Sequence, residues 1–282
     1  MDRVTESNGL NLTTAGDFLA GLFDGKGRPS GLEEALSGTQ ERIGVLGYLR
    51  DRPEHANYVR RLEELRGTVE SSLSQLKSNE HEVPEFHKSL ENLSTDEASA
   101  IILYTNDEGP YKILNFLLRA ENRREVIPFI EYLWLLMHGL SRCPRPTEPM
   151  VYRGIKERVD ANSYKVGRVV VWSAFSSCTT KMSVLTENNQ FLGTTGDRTV
   201  FYITLTTNRA RRIAHLSAHY EESEVLLPPN TVLRVQHVAD HRDGLLEIHL
   251  LEEKCIYPIL VFEDDIGNIF VMRSLTIFMN PE

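Results

Sequence analysis

The chain has few cysteines, no excess of positive charge and no long apolar run, and each shortage closes off a class of function. Its three cysteines, Cys143, Cys178 and Cys255, are far apart and odd in number. Their spacing suits neither a disulfide scaffold nor a zinc site. A reducing, cytoplasmic compartment fits that usage, and the opening residues Met1 to Ser7 lack the apolar core of a signal peptide. Net charge is −9, which argues against nucleic acid as a partner because backbone binding needs a basic surface. One basic pocket for a phosphate-bearing small molecule remains compatible with it. No apolar stretch reaches the length of a membrane span; the longest, Phe129 to Leu140, is broken by Glu131 and His138. The nine histidines are scattered, with no pair at ligand spacing beside a carboxylate, so no metal is expected. Gly193-Thr194-Thr195-Gly196-Asp197 is glycine-rich but lacks a phosphate-loop signature, and reads as a turn.

The remaining sequence falls into two textures. At 282 residues and 41% hydrophobic, it can bury the core of one large domain or two modest ones. The first half is helical. Leu62, Leu65, Val69, Leu73 and Leu76 recur at spacings of three and four, predicting a helix over 57–77. Ser94-Thr95-Asp96-Glu97 is a capping-box pattern ahead of an apolar run. Helical patterning continues through Tyr111 to Leu118 and Val126 to Leu140, until Cys143-Pro144-Arg145-Pro146 ends it. After Pro149 the chain turns to short segments rich in Val, Ile, Phe and Tyr. Strands are expected at 150–154, 169–172, 175–178, 199–205, 224–227, 231–238 and 245–251. Asp243-Gly244 signals a hairpin turn between the last two, and a further hairpin is expected over 258–278. Helices first and strands later is the α+β pattern.

Three short motifs in the β-rich half carry chemistry. Glu222 and Glu224 flank Ser223 just before the apolar run Val225-Leu226-Leu227. If the strand begins there, alternation points both carboxylates the same way. Like charges that close raise one pKa unless a cation compensates; a solvated acidic loop is the plainer alternative. Upstream, Val151-Tyr152-Arg153-Gly154 puts a bidentate cation beside a backbone that a ligand can approach closely. In isolation Arg153 reads more simply as an edge-strand residue in a surface ion pair. Between them lies Ser173-Ala174-Phe175-Ser176-Ser177-Cys178-Thr179-Thr180, a run of hydroxyls able to orient a carboxylate.

Arginine, then a serine-rich strand, then Glu-x-Glu entering a Val-Leu-Leu-Pro strand resembles the Arg–Ser–Glu group of mono-ADP-ribosyltransferases. Leu93 to Ala98, Tyr104-Thr105, Tyr111, Leu114-Asn115 and Leu118-Arg119 resemble the helical block ahead of the arginine strand in arginine-specific eukaryotic members. The resemblance covers roughly residues 80–252. It implies an α+β fold with two small, mostly antiparallel sheets forming an NAD cleft. It also implies a catalytic domain over 81–282, with a C-terminal hairpin extension from about 253, and a helical extension over 1–80 of no assigned role. The implied activity moves ADP-ribose from NAD, as substrate, to an arginine of an acceptor protein.

By the same resemblance Arg153 holds the NAD phosphates and ribose, and the Gly154 backbone holds the nicotinamide carboxamide. Ser177 corresponds to the first serine of a Ser-Thr-Ser motif, here Ser177-Cys178-Thr179. Glu224 is the catalytic glutamate, and Glu222 the glutamate that accompanies arginine as acceptor. Phe191 falls where an aromatic covers the nicotinamide, or packs under its loop. His219 and Tyr220 lie on the acceptor-facing turn. Two rival functions remain open at this point. One is a NAD glycohydrolase, with water as acceptor. The other is a non-catalytic NAD-binding module that uses residues 1–80 to hold a partner.

Overall fold

A computed structural model describes residues 29–40, 43–78, 90, 92–120, 122–187, 191–217 and 220–254. The expected hairpin over 258–278, together with Cys255 and His219, lies outside the described residues. The chain forms two compact units that meet in sequence at Cys143 and Pro144.

The first unit is helical. It contains α1 (Leu32–Ser37), α2 (Val45–Arg50), α3 (Ala56–Ser78), α4 (Thr95–Thr105), α5 (Tyr111–Arg119) and α6 (Ile130–Arg142). On α3 the residues Val59, Leu62, Val69 and Leu73 are buried, which is the apolar stripe that its spacing requires. Helix α4 packs on α3 and α6. The capping box forms at its start: the Glu97 amide donates to Ser94 Oγ at 3.1 Å, and the Ser94 amide donates to the Glu97 carboxylate at 2.8 Å. Two residues of the helical block also join, Asn115 Nδ2 donating to the Tyr104 hydroxyl at 2.9 Å. Pro128 falls inside a 3₁₀ turn, Arg123–Phe129. The α-helical ladder therefore starts only at Ile130, later than the apolar pattern suggests, because proline has no amide to donate.

Glu97 does more than cap. It is 3% exposed and also meets His138 Nδ1 and Arg142 Nη1, the latter at 2.7 Å. Burial alone would raise its carboxyl. The hydrogen bond from His138, the Ser94 amide and the charges of His138 and Arg142 outweigh that, holding it below the usual 4.5. A depressed carboxyl stabilises the fold above its unfolded value, and that stability is lost as pH falls through the folded one. Glu97→Gln should therefore cost roughly 2 kcal/mol at neutral pH, the scale of a charged hydrogen bond. Thermal melts in a pH series should show the gap between variant and wild type closing below about pH 4.5.

The second unit is a sheet. Its strands are β1 (Met150–Ile155), β2 (Val169–Trp172), β3 (Ser176–Thr179), β4 (Arg198–Thr204), β5 (Arg211–Arg212), β6 (Glu224–Leu227), β7 (Thr231–Asp240) and β8 (Leu245–Glu253). They are ordered β2-β7-β8-β4-β1-β3-β6-β5, and all pairs are antiparallel except β4 with β8. β7 and β8 form the expected hairpin, and Gly244 in its turn has φ +87, a conformation that favours glycine. One face buries Val151, Phe201, Ile203, Val225, Leu227, Leu233, Val235, Ile248 and Leu250. The other face is partly covered by a short helix, α7 (Met182–Glu187), and by the loop after it.

Two separate sheets were expected, but the strands join into one. The join is narrow. β1 and β3 pair at a single position, Tyr152 opposite Thr179, whereas β1 pairs with β4 along its whole length. The seam arises because β1 is fully zipped on one side and touches the β3-β6-β5 half at one point.

Candidate active site

The seam between β1 and β3 is where the sequence motifs converge. A cleft there is lined by Tyr152, Arg153 and Gly154 from β1, and by Ser177 and Thr179 from β3. Phe191 and Glu222 also line it. Across the seam the Arg153 guanidinium donates to the Ser177 carbonyl at 2.8 Å.

Ser177 and Glu224 come together through strand register. In the β3–β6 ladder Ser177 lies opposite Leu226, and Thr179 opposite Glu224. Residues two apart share a face, so Ser177 and Glu224 are diagonal neighbours within reach of polar side chains. The Ser177 hydroxyl donates to Glu224 Oε1 at 2.7 Å. Glu224 is 7% exposed while Ser177 is exposed. The carboxylate is thus held from the cleft side by a hydroxyl that a ligand can also reach.

Glu222 arrives by a different route from the one its spacing suggests. It ends a 3₁₀ turn, Tyr220–Glu222, and is not part of β6. Ser223 has φ +50, a left-handed conformation uncommon for a residue with a side chain. Strand alternation does not relate the two glutamates; the left-handed Ser223 does. Glu222 is half-buried on the cleft wall, and its carbonyl accepts from Thr179 Oγ1 at 2.6 Å.

Gly154 has a packing reason to be glycine. A Cβ there would stand 2.9 Å from the Cβ of Leu192, which is not a flexible tip that can swing aside. Leu192 is buried with Leu185 and Val200, and Phe191 packs against the same cluster. The loop reaches this position because the amides of Leu192 and Gly193 donate to the Leu185 carbonyl at 3.3 and 3.4 Å. Gly154→Ala should push the 191–193 loop off β1 and cost about 1–3 kcal/mol, as overpacking does. A lowered melting temperature would register it.

Cys178 lines the same cleft but is buried. Burial pushes its thiol up to about 12, and the charge of Glu224 adds to the effect against Arg153. It is a neutral thiol and no nucleophile. Sequence reasoning passed over Tyr152 and gave Thr179 no task, although Thr179 is the last hydroxyl of its motif. Of the acceptor-side pair, Tyr220 begins the 3₁₀ turn that Glu222 ends. Among the described residues no group of three or more His, Cys, Asp or Glu is placed to hold a metal ion.

No curated protein sequence matches the chain. Among solved structures, the ADP-ribosyltransferase HopU1 of Pseudomonas syringae pv. tomato DC3000 is 21% identical, with a TM-score of 0.51 over 65% of this chain and 87% of that one. The type III effector XopAI of Xanthomonas axonopodis pv. citri, without its first 70 residues, is 16% identical, with a TM-score of 0.52 over 79% and 95%. The eukaryotic mono-ADP-ribosyltransferase ART2.2 is 18% identical, with a TM-score of 0.50 over 72% and 85%. At such identities the likeness establishes the fold. The profile of a family described as NAD:arginine ADP-ribosyltransferase matches residues 52–255, taking in α3 and the whole sheet. With that match spanning more than half of its length, the chain belongs to the NAD:arginine ADP-ribosyltransferase family.

Proposed function

We propose that this chain transfers a single ADP-ribose from NAD to an arginine side chain of a protein, releasing nicotinamide. The observation that carries the reading is the Ser177–Glu224 pair at the β1–β3 seam, with Arg153 bonded to the same serine. Arg153 supplies the cation for the NAD phosphates and ribose. The Gly154 backbone, in close contact with the Leu192 loop, faces the carboxamide, and Phe191 packs against the nicotinamide. Breaking the nicotinamide–ribose bond develops positive charge at the anomeric carbon, as in glycoside hydrolysis. Glu224 is the fixed carboxylate facing that charge, and Ser177 holds it in place.

Glu222 has a separate task. The acceptor guanidinium is protonated at any ordinary pH and is a poor nucleophile in that form. A carboxylate on the cleft wall orients it and takes a proton as it attacks. His219 and Tyr220, just upstream, are on the acceptor side. Cys178 is a free thiol, which suits a reducing compartment. Among the described residues no helix is long and apolar enough to cross a membrane.

The test is to incubate the chain with labelled NAD and agmatine, a small guanidine, and then with whole protein extract read by mass spectrometry. ADP-ribosyl-agmatine and ADP-ribosylated arginine peptides are expected. Nicotinamide release that ignores both acceptors would replace the transferase reading with that of a NAD glycohydrolase.

A further inference from the structure

Building on the function proposed above, we infer that Thr179 is a positioning residue that aims Glu222 and so sets the partition of ADP-ribose between arginine and water. The carbonyls of Glu222, Ser223 and Glu224 each accept a hydrogen bond. The donors are Thr179 Oγ1 at 2.6 Å, the Thr180 amide at 3.5 Å and the Ile213 amide at 3.0 Å. The last two are backbone groups, which almost any side chain at those positions would supply. The first is a hydroxyl, so this bond to Glu222 depends on the side chain at residue 179.

The hydroxyl is set up for that task. Thr179 is 3% exposed. Its oxygen accepts from the Lys181 amide at 3.1 Å, and the other acceptor near its proton, the Lys181 carbonyl, is 3.5 Å away. One proton with a 2.6 Å partner and a 3.5 Å partner goes to the nearer, the Glu222 carbonyl. The next residue, Ser223, is left-handed, and such a conformation persists only where its surroundings enforce it. Loss of this bond lets the 220–223 turn relax and shifts the carboxylate on the cleft wall. Glu224 has independent anchors: its place in the β3–β6 ladder and the Ser177 hydroxyl. Loss of the Thr179 hydroxyl is therefore felt at Glu222 first.

The experiment compares agmatine ADP-ribosylation with acceptor-free NAD hydrolysis in wild type, Thr179→Val and Thr179→Ser. Valine keeps the shape and drops the hydroxyl; serine keeps the hydroxyl. The ratio of transfer to hydrolysis should fall about tenfold in the valine variant, the scale of one hydrogen bond, and recover in the serine variant. Ser223→Gly, which reaches φ +50 without being confined to it, should lower the same ratio and gives the test a route that leaves residue 179 intact. Equal loss of both activities in Thr179→Val, or no recovery in Thr179→Ser, overturns the proposal, as does an unchanged ratio in Ser223→Gly. A wild type that never modifies agmatine brings down the transferase reading and this proposal together. A wild type that does transfer, with an unaltered ratio in Thr179→Val, brings down this proposal alone.

Discussion

Replacing Glu224 by glutamine should slow nicotinamide release by about 10²–10³-fold, the usual effect of removing one preorganised electrostatic stabiliser. Glutamine has the same shape as glutamate, and its carbonyl oxygen can still accept from Ser177 Oγ, which now donates to Glu224 Oε1. The change therefore removes charge and leaves the architecture in place. The loss is large because Glu224 is 7% exposed: a charge shielded from water acts through a lower effective dielectric than a surface carboxylate. The variant should keep a melting temperature close to that of the wild type, since the Ser177 hydroxyl retains an oxygen to bond. Steady-state nicotinamide release with and without agmatine is the measurement. Near-normal turnover in Glu224→Gln would show that the bond is broken elsewhere, and the β1–β3 seam would lose its claim to be the catalytic site.

Glu222→Gln should act on a different step. Transfer to agmatine is expected to fall about 10²–10⁴-fold, the range for loss of a positioned general base, and out of proportion to any change in NAD hydrolysis. The physical reason is the nature of the acceptor. Water needs no carboxylate to hold it in line and is always present, whereas a guanidinium must be gripped and deprotonated. The structure also separates the two glutamates mechanically. Glu224 opens a strand paired on both sides, with β3 and β5. Glu222 ends a 3₁₀ turn and reaches the strand through a left-handed serine. A proportionate loss of hydrolysis and transfer in Glu222→Gln would mean that both carboxylates serve one step, and the division of labour would fail.

Much of the fold follows from local pattern. Strands β2 and β6 match their expected limits, β1, β7 and β8 run one or two residues longer at the C-terminal end, and β3 and β4 are shifted by one residue. Alternation and β-branched content act over a handful of neighbouring residues, so they are readable without knowing what a strand pairs with. The same holds for the capping box at Ser94 and the turn at Asp243-Gly244, where a few adjacent atoms settle the conformation. Helix α7 and strand β5 escaped notice. One is six residues long and the other two, too short for a period to show, and both exist because the sheet offers them a partner.

The site divides along the same line. Arg153, Ser177, Glu222 and Glu224 stood out in the sequence through the resemblance of their order and spacing to the Arg–Ser–Glu group of mono-ADP-ribosyltransferases; each motif alone also reads as ordinary strand or surface. The register that makes Ser177 and Glu224 diagonal neighbours is a long-range pairing. So is the single contact, Tyr152 with Thr179, that joins what would otherwise be two sheets. The residues on either side of the left-handed Ser223 accept from Thr179 of β3 and from Ile213 just after β5, some forty and ten residues upstream in the chain. Gly154 is the plainest case. Its sequence context suggests a backbone left bare for a ligand, yet the atom that forbids a side chain is the Cβ of Leu192. Local sequence carries local energies, namely propensity, capping and turn strain. Pairing register and close approach come from atoms distant along the chain, and those contacts exist only once the sheet has closed.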